Sequence, residues 1–591
     1  MTQKTQWLMA SASSGATVQI GAAGLDAALL IHLKSLERNE AIKRLFGKDP
    51  LLWKKDEENI KSIREGLGWL DLPGTLLPLA DKFSAFASGI RDEGYTSVVL
   101  LGMGGSSLCS EVARQTFGSA PGYPVLHVLD NTEPAAILEL EKKIKIEKTL
   151  FIVASKSGST LETTCFFRYF YEKLSRKDIV NAGRNFVAIT DAGTSLVELA
   201  IKYNFRKTFI NSPNVGGRYS VLSDFGILPM ALVGIDTKAL LQSSCQMSIA
   251  CSSRATPDEN PGMLLGALLG TAQQQGRDKV TFVLSQTLQS FGFWVEQLIA
   301  ESTGKEGTGL IPVNGEEPGT ADSYGLDRIF VHIYLESDDT KKEEQQLRLL
   351  EEAGTPVARI CLETKTALGA AYYLLEIATA VAGMIIGINP FDQPNVAESK
   401  KNTNTILEEW AREGKFKEHK PVFDRDGIRI YAGNNVSPEL ARTGNSISDC
   451  IQAFLSQAKN HDYIALLPYF EMTPERTELL QAWREQMKSG LHEATTLLNG
   501  PRYLHSTGQL HKGGPASGLY ILLLPEEGTE LAIPGQKYGF ATLHQAQALG
   551  DFRSLDEKDR RVICIRLGKD IDVSLASFLD KVQSPLMNNT L

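Results

Sequence analysis

The stretch 149–164, TLFIVASKSGSTLETT, constrains the fold more than any other part of this chain. Residues 150–153 are a short apolar run of β-forming side chains, the pattern of a strand buried in a parallel sheet. Ser155, Ser157, Ser159 and Thr160 then crowd around Lys156 and Gly158, and Leu161, Glu162 and their successors read as a helix. A strand feeding a helix through so short a turn is the unit of an α/β fold. The turn also suits a phosphate. First-turn N–H groups are unspent, the helix dipole favours an anion, and short hydroxyls add donors without bulk. An ordinary N-cap accounts for one hydroxyl; this many, with a lysine, point to a ligand.

The same rhythm recurs. Strand patterns at 97–101, 125–129, 150–153 and 185–189 alternate with helical stretches, which predicts a doubly wound parallel sheet with ligands beyond the carboxyl ends of its strands. The 97–101 strand runs into Gly102-Met103-Gly104-Gly105-Ser106-Ser107. Glycines there allow close backbone approach to a ligand, and tight packing explains them equally well. The turn lacks the spacing of a dinucleotide fingerprint and of a nucleotide P-loop. A second unit begins near Lys279, with strand patterns at 280–284, 329–335 and 357–362 and a helix over 289–301. The charged stretch 411–420 reads as a linker, and more α/β elements follow at 463–467, 473–488, 519–524 and 562–565. Before the first unit, helical apolar spacing over 25–45 and onward to Trp69 predicts a helical packing segment. The expected domains are 1–80 (helical), 81–260, 261–410 and a C-terminal α/β extension, 420–591.

Composition sets limits. A chain of 591 residues with 42% hydrophobic and 22% charged residues has the make-up of a soluble, multidomain protein. Its net charge of −9 argues against nucleic acid as a partner. The scattered cysteines form no CxxC pair or Cys/His cluster, which fits reduced thiols in the cytoplasm and no metal. Residues 1–15 carry no long apolar core of a secretion signal. Residues 368–388 are long and apolar enough to span a membrane, but they follow a strand and are rich in Gly and Ala, so a buried crossover helix is expected.

Several polar residues stand out. Two glycines precede Arg218 in VGGRYS, a loop that delivers a guanidinium to an oxyanion or else a surface arginine. Gln297 and Glu301 share one helix face, and Glu301 ends an apolar helix beside a Gly-rich loop. It is a candidate base or a solvated helix-terminal charge. Lys400 sits on a helix beginning near Val396 after a double-proline turn. The segment 500–515, GPRYLHSTGQLHKGGP, places His505 and His511 in a basic, Gly-rich loop, a catalytic or binding candidate.

Taken together, these segments resemble the glucose-6-phosphate isomerase family, whose members carry two sugar-isomerase (SIS) domains. The resemblance runs from 97 to 401 in order: GMGGSS, SKSGSTLET, GGRYS, QLIAESTGK and FDQPNVAESK. Ala397 stands where the family usually has a glutamate. The tail resembles the isomerase half of transaldolase–isomerase fusion proteins. The implied fold is two doubly wound, flavodoxin-like SIS domains flanked by the N-terminal segment and the C-terminal extension.

The implied activity is interconversion of glucose 6-phosphate and fructose 6-phosphate through a cis-enediol, without a cofactor. Phosphate would dock on Ser155, Lys156, Ser157, Ser159 and Thr160, with Gly105 and Ser106 nearby. Glu301 would move the proton, Arg218 would stabilise the enediolate, Gln297 and Gln393 would orient the substrate, and Lys400 would assist ring opening. The family's ring-opening histidine follows the catalytic glutamate. Here the corresponding segment, 319–325, has none, and His332 lies inside a strand pattern and reads as structural. His511 is the expected replacement, with His505 in reserve. The family implies a homodimer, in which the partner subunit supplies that histidine; a histidine from the tail would permit a monomer. Alternatives are additional action on mannose 6-phosphate, a sugar-phosphate sensor without turnover, and a purely structural tail.

Overall fold

The computed structural model describes residues 7–177, 181–253, 256–417, 419–443, 445–526 and 528–588. Three sheets organise the molecule. In the first, Ser97–Leu101, Val125–Leu129, Thr149–Ala154, Phe186–Asp191 and Lys207–Asn211 run parallel, in the spatial order second, first, third, fourth, fifth. That is the flavodoxin-like order. Ser97–Leu101, Thr149–Ala154 and Phe186–Asp191 are buried at every position, so they read as unbroken apolar runs. The edge strand Lys207–Asn211 is half-exposed and polar enough to escape a search for such runs.

The second sheet sets Lys279–Leu284, Ile311–Asn314, Arg328–Leu335 and Val357–Leu362 in parallel, ordered second, first, third, fourth. Here one expectation is corrected. The N-terminal segment is helical from Asp26–Arg38 onward, but Trp7–Ala12 and Ala16–Gly21 form a hairpin. The hairpin joins the second sheet antiparallel to Val357–Leu362, binding the chain's start to residues far along the sequence. Ala16, Val18 and Ile20 are buried while Thr17 and Gln19 are only partly so. A two-residue period over so short a run carries little signal.

Residues beyond the linker build a third sheet that repeats the second. Tyr463–Pro468, Ala494–Leu497, Gly518–Pro525 and Arg561–Leu567 are parallel, again ordered second, first, third, fourth. An antiparallel hairpin, Phe423–Arg425 with Ile428–Ala432, closes the outer edge at the fourth strand, as the N-terminal hairpin does in the second sheet.

The apolar helix Leu368–Ile386 has the length and hydropathy to cross a membrane, yet most of it is buried inside the protein. It packs on the helix Pro261–Gln274. The approach needs glycine: a Cβ on Gly262 would sit 2.3 Å from Ile377 Cγ2, and one on Gly266 2.5 Å from the Ala378 carbonyl oxygen. Within this helix Glu376 is fully buried, and neither carboxyl oxygen has a partner among the described residues. Burial raises its carboxyl well above the usual range, so it is a neutral acid in the core.

Candidate active site

The glycine-rich turn of the first unit is where three regions meet. A Cβ on Gly105 would lie 2.1 Å from the Gly217 carbonyl oxygen, and one on Gly104 would lie 2.5 Å from the His505 carbonyl oxygen and 3.1 Å from Gln297 Nε2. Gly104 also adopts φ +55°. The turn is therefore glycine because the arginine loop and the tail press on it directly. Ser106 lies half-buried beside them, in the 3-10 turn Gly104–Ser106.

The hydroxyl-rich turn has the predicted form. Ser155 Oγ and Thr160 Oγ1 lie 2.9 Å apart, and Ser157 Oγ and Ser159 Oγ 3.0 Å apart. Thr160 precedes the helix Leu161–Ser175 but makes no side-chain cap, so its hydroxyl does not occupy the first-turn N–H groups. Lys156 departs from expectation. Its ammonium donates to Asp191 Oδ2 at 2.6 Å and to the Pro213 carbonyl at 3.2 Å, and a carboxylate with a carbonyl already satisfies it.

The end of the helix Phe291–Thr303 carries the acidic candidate. Gln297 Nε2 donates to Glu301 Oε2 at 3.0 Å and to the His505 carbonyl at 2.8 Å, while Gln297 Oε1 is buried without a partner among the described residues. That orphaned acceptor is free for a ligand hydroxyl. Arg218 Nη1 lies 3.4 Å from Glu301 Oε1. The Arg218 guanidinium is buried and otherwise spent on structure: Nε on Ser302 Oγ at 2.7 Å, Nη1 on Gln393 Oε1 at 2.9 Å, and Nη2 on the Pro390 and Asp392 carbonyls at 2.7 and 2.9 Å. It ties the arginine loop, the helix Phe291–Thr303 and the proline turn together. Lys305, from the QLIAESTGK segment, holds the same turn through Asn389 and Asp392; burial foremost, then neighbouring Arg218, pulls its amine down to about 8.

Next to this group lies a cavity of 250 Å³ lined by Ser159, Thr160, Glu162, Lys400, His505 and Gln547, among others. His505 Nε2 is 2.9 Å from Glu162 Oε1. Burial opposes ionisation of Glu162, but His505, its own backbone N–H and Lys400 outweigh it and hold the carboxyl below its usual range. Gln547 Nε2 donates to the same Glu162 oxygen at 2.7 Å, and Gln547 Oε1 accepts from Thr132 Oγ1 at 2.6 Å. Lys400 is exposed and makes no hydrogen bond or ion pair among the described residues, so its ammonium is available to the cavity.

His511 is the second correction. It is buried between Tyr503 and Tyr520, with ring centroids at 5.6 and 5.0 Å, and does not line the cavity. Burial, then the charges of Lys512 and Arg560, lower its pKa well below the usual value, so it is a neutral core residue. The reserve candidate, His505, occupies the site instead. It sits in the 3-10 turn Arg502–His505, whereas His511 faces inward from the helix Gly508–Gly513.

A family model described as phosphoglucose isomerase matches residues 81–311, which span the glycine turn, the hydroxyl turn, Arg218, Gln297 and Glu301. The chain thus carries a phosphoglucose isomerase domain. Among relatives, the probable glucose-6-phosphate isomerase of Methanococcus maripaludis is 29% identical over 383 residues, 59% of this chain and 85% of its own length. The glucose-6-phosphate isomerase of Campylobacter jejuni is 29% identical over 384 residues, 58% of this chain and 92% of its own. Among solved structures, a hypothetical protein of Thermus thermophilus aligns with TM-score 0.55 at 26% identity, covering 65% of this chain and 97% of that one. The glucose-6-phosphate isomerase of Chlamydia trachomatis aligns with the same TM-score, 0.55, at 19% identity, covering 69% and 91%, and so matches in fold.

Within this family frame, the site gathers residues the sequence marked and residues it did not. Ser159, Thr160, Lys400 and His505 share one cavity, while Arg218, Gln297, Glu301 and Gln393 form the adjoining cluster. The His505 backbone joins the two. Glu162 had a signal, being a carboxylate just after the hydroxyls on the first helical turn, but nothing marked it as a partner for a histidine. Gln547 and Thr132 had none, because their sequence distance of 415 hides any pairing.

Proposed function

We propose that this protein is a glucose-6-phosphate isomerase that interconverts glucose 6-phosphate and fructose 6-phosphate, and that one chain supplies its whole catalytic set. The observation that carries this reading is the His505 bridge: its ring lies in the cavity with the hydroxyl turn, and its carbonyl accepts from the amide that holds Glu301.

The phosphate docks on the hydroxyls of Ser155, Ser157, Ser159 and Thr160 and on the free first-turn N–H groups, with Gly105 and Ser106 close by. Remote anchoring of the phosphate fixes the reacting carbons. His505, oriented by Glu162, exchanges a proton with the ring oxygen to open the sugar, and Lys400 assists. Glu301 takes the C2 proton and returns it to C1, while the hydroxyl proton passes between O1 and O2. The carbonyl thereby moves from C1 to C2 through a cis-enediol. Arg218 holds Glu301 in place and offsets the enediolate charge. Gln297, through its unspent oxygen, and Gln393 orient the sugar.

The setting is the cytoplasm, consistent with cysteines that are all free. Because His505 comes from the same chain, turnover needs no side chain from a second subunit, and specific activity is independent of protein concentration. The test is a coupled assay of fructose 6-phosphate conversion with wild type and Glu301→Gln. Phosphate-dependent binding with no turnover by wild type would replace this reading with that of a sensor.

A further inference from the structure

A second and larger cavity, 520 Å³, lies between the second and third units, and none of the residues lining the catalytic cavity except those near the 502–506 turn adjoins it. It opens where the carboxyl ends of two sheets meet: Val283 and Leu284 close one strand, Asn314 its neighbour, and Leu497 a strand of the third sheet. In open α/β sheets that edge is where ligands bind.

Lys342 and Glu317 pair at 3.4 Å in the exposed part of the lining, and Glu343 is half-buried there; deeper in, two guanidinium groups lack a full set of partners. Arg484 is 1% exposed and lines the cavity. Its Nε and Nη2 hold the Thr495 carbonyl, but Nη1 has only a 3.4 Å contact to Gln481 Oε1, and no carboxylate pairs with it among the described residues. The nearby Glu316 is taken by Arg328 at 3.0 Å. Glu296, on the cavity wall, does not compensate: burial pushes its carboxyl up to about 8 against the pull of Arg484, Asn314 and Arg502, so at neutral pH it is an O–H donor. Arg502 spends Nη2 on Asp130 at 2.8 Å and leaves Nε buried without a partner. A buried guanidinium is always charged and costly to leave unpaired.

We propose that this cavity is a second ligand site, for a small organic anion whose carboxylate or phosphate pairs with Arg484 and Arg502 and whose carbon skeleton lies on Phe282, Phe293, Leu497 and Leu498. The donor set fits either anion, because a guanidinium fork matches both, and the apolar floor suits a ligand with a carbon skeleton.

Calorimetry on full-length Glu301→Gln, with the catalytic pocket saturated by fructose 6-phosphate, tests it. Glycerol 3-phosphate and ribose 5-phosphate form the phosphate arm; malate and citrate form the carboxylate arm. At least one probe should bind, one molecule per chain, and the arm it belongs to identifies the anion. Gln481→Glu, a partly exposed position that places a carboxylate beside Arg484, should weaken that binding about tenfold or more; Gln481→Lys should not weaken it. Opposite responses to the two charges separate local electrostatics from misfolding. No binding in either arm, or equal binding by wild type and Gln481→Glu, overturns the proposal. Failure of fructose 6-phosphate to bind would count against the isomerase reading and leave the Gln481 comparison to decide this one.

Discussion

The second and third units have the same strand order and an edge hairpin at the same place, and in each an ionisable residue of the site can be set against one of the same type in the core. In the second unit Glu301 sits at a helix end beside Arg218, while Glu376 is sealed inside Leu368–Ile386. In the third, His505 faces the cavity while His511 is walled in by tyrosines. Residue type is thus a poor guide to chemistry. What separates the members of each pair is whether a turn or a packed helix face presents them, and whether a charged or hydrogen-bonding partner waits there.

The pairs can be broken one at a time. Glu301→Gln should lower kcat by about a thousandfold or more, since it removes the group that moves the carbon-bound proton; steady-state kinetics in both directions checks this, and Glu376→Gln should leave kcat unchanged. His505→Asn should cost about a hundredfold on cyclic substrate and much less on an open-chain analogue. His511→Asn should alter neither, and a loss confined to His511→Asn would reverse the assignment. Gly104→Ala forces a side chain against the His505 carbonyl at 2.5 Å and strains a φ of +55°; a fall in kcat/KM with a lowered Tm is expected, because the join between first unit and tail is disturbed.

The smallest effects are on stability, and the two core residues act in opposite directions with pH. Glu376 has a folded pKa raised well above the ordinary glutamate value of 4.5 by burial. Its contribution is therefore present below that pH and is lost as pH rises. Glu376→Gln should raise stability at pH 7–8 by about 1–3 kcal/mol. His511 has a folded pKa lowered well below the ordinary histidine value of 6.5 by burial, so its contribution is present above that pH and is lost as pH falls. His511→Phe should flatten the loss of stability below pH 6. Denaturant melts across pH 5–8 measure both slopes.

Much of this was legible in the sequence where burial is two-sided. Thr149–Ala154, Lys279–Leu284 and Val357–Leu362 announce themselves because both faces are covered. The two edge hairpins and the strand Ala494–Leu497 do not, being short, with only one face or one edge to bury. The hydroxyl turn was readable because its function needs a local cluster. The diversion of Lys156 to Asp191, the saturation of Arg218 by backbone carbonyls, and the Glu162–Gln547–Thr132 chain were not, because each depends on partners brought in by tertiary packing. Choosing between His505 and His511 required knowing where a 3-10 turn gives way to a helix, six residues in which composition hardly changes.

The His505–Glu162 contact spans 343 positions of the chain. A ribosome releasing this protein therefore exposes the turn proposed to anchor the sugar long before the residue proposed to open it. On the proposed function, a molecule clipped ahead of His505 would lose its ring-opening group and should be slower on cyclic substrate by about a hundredfold or more.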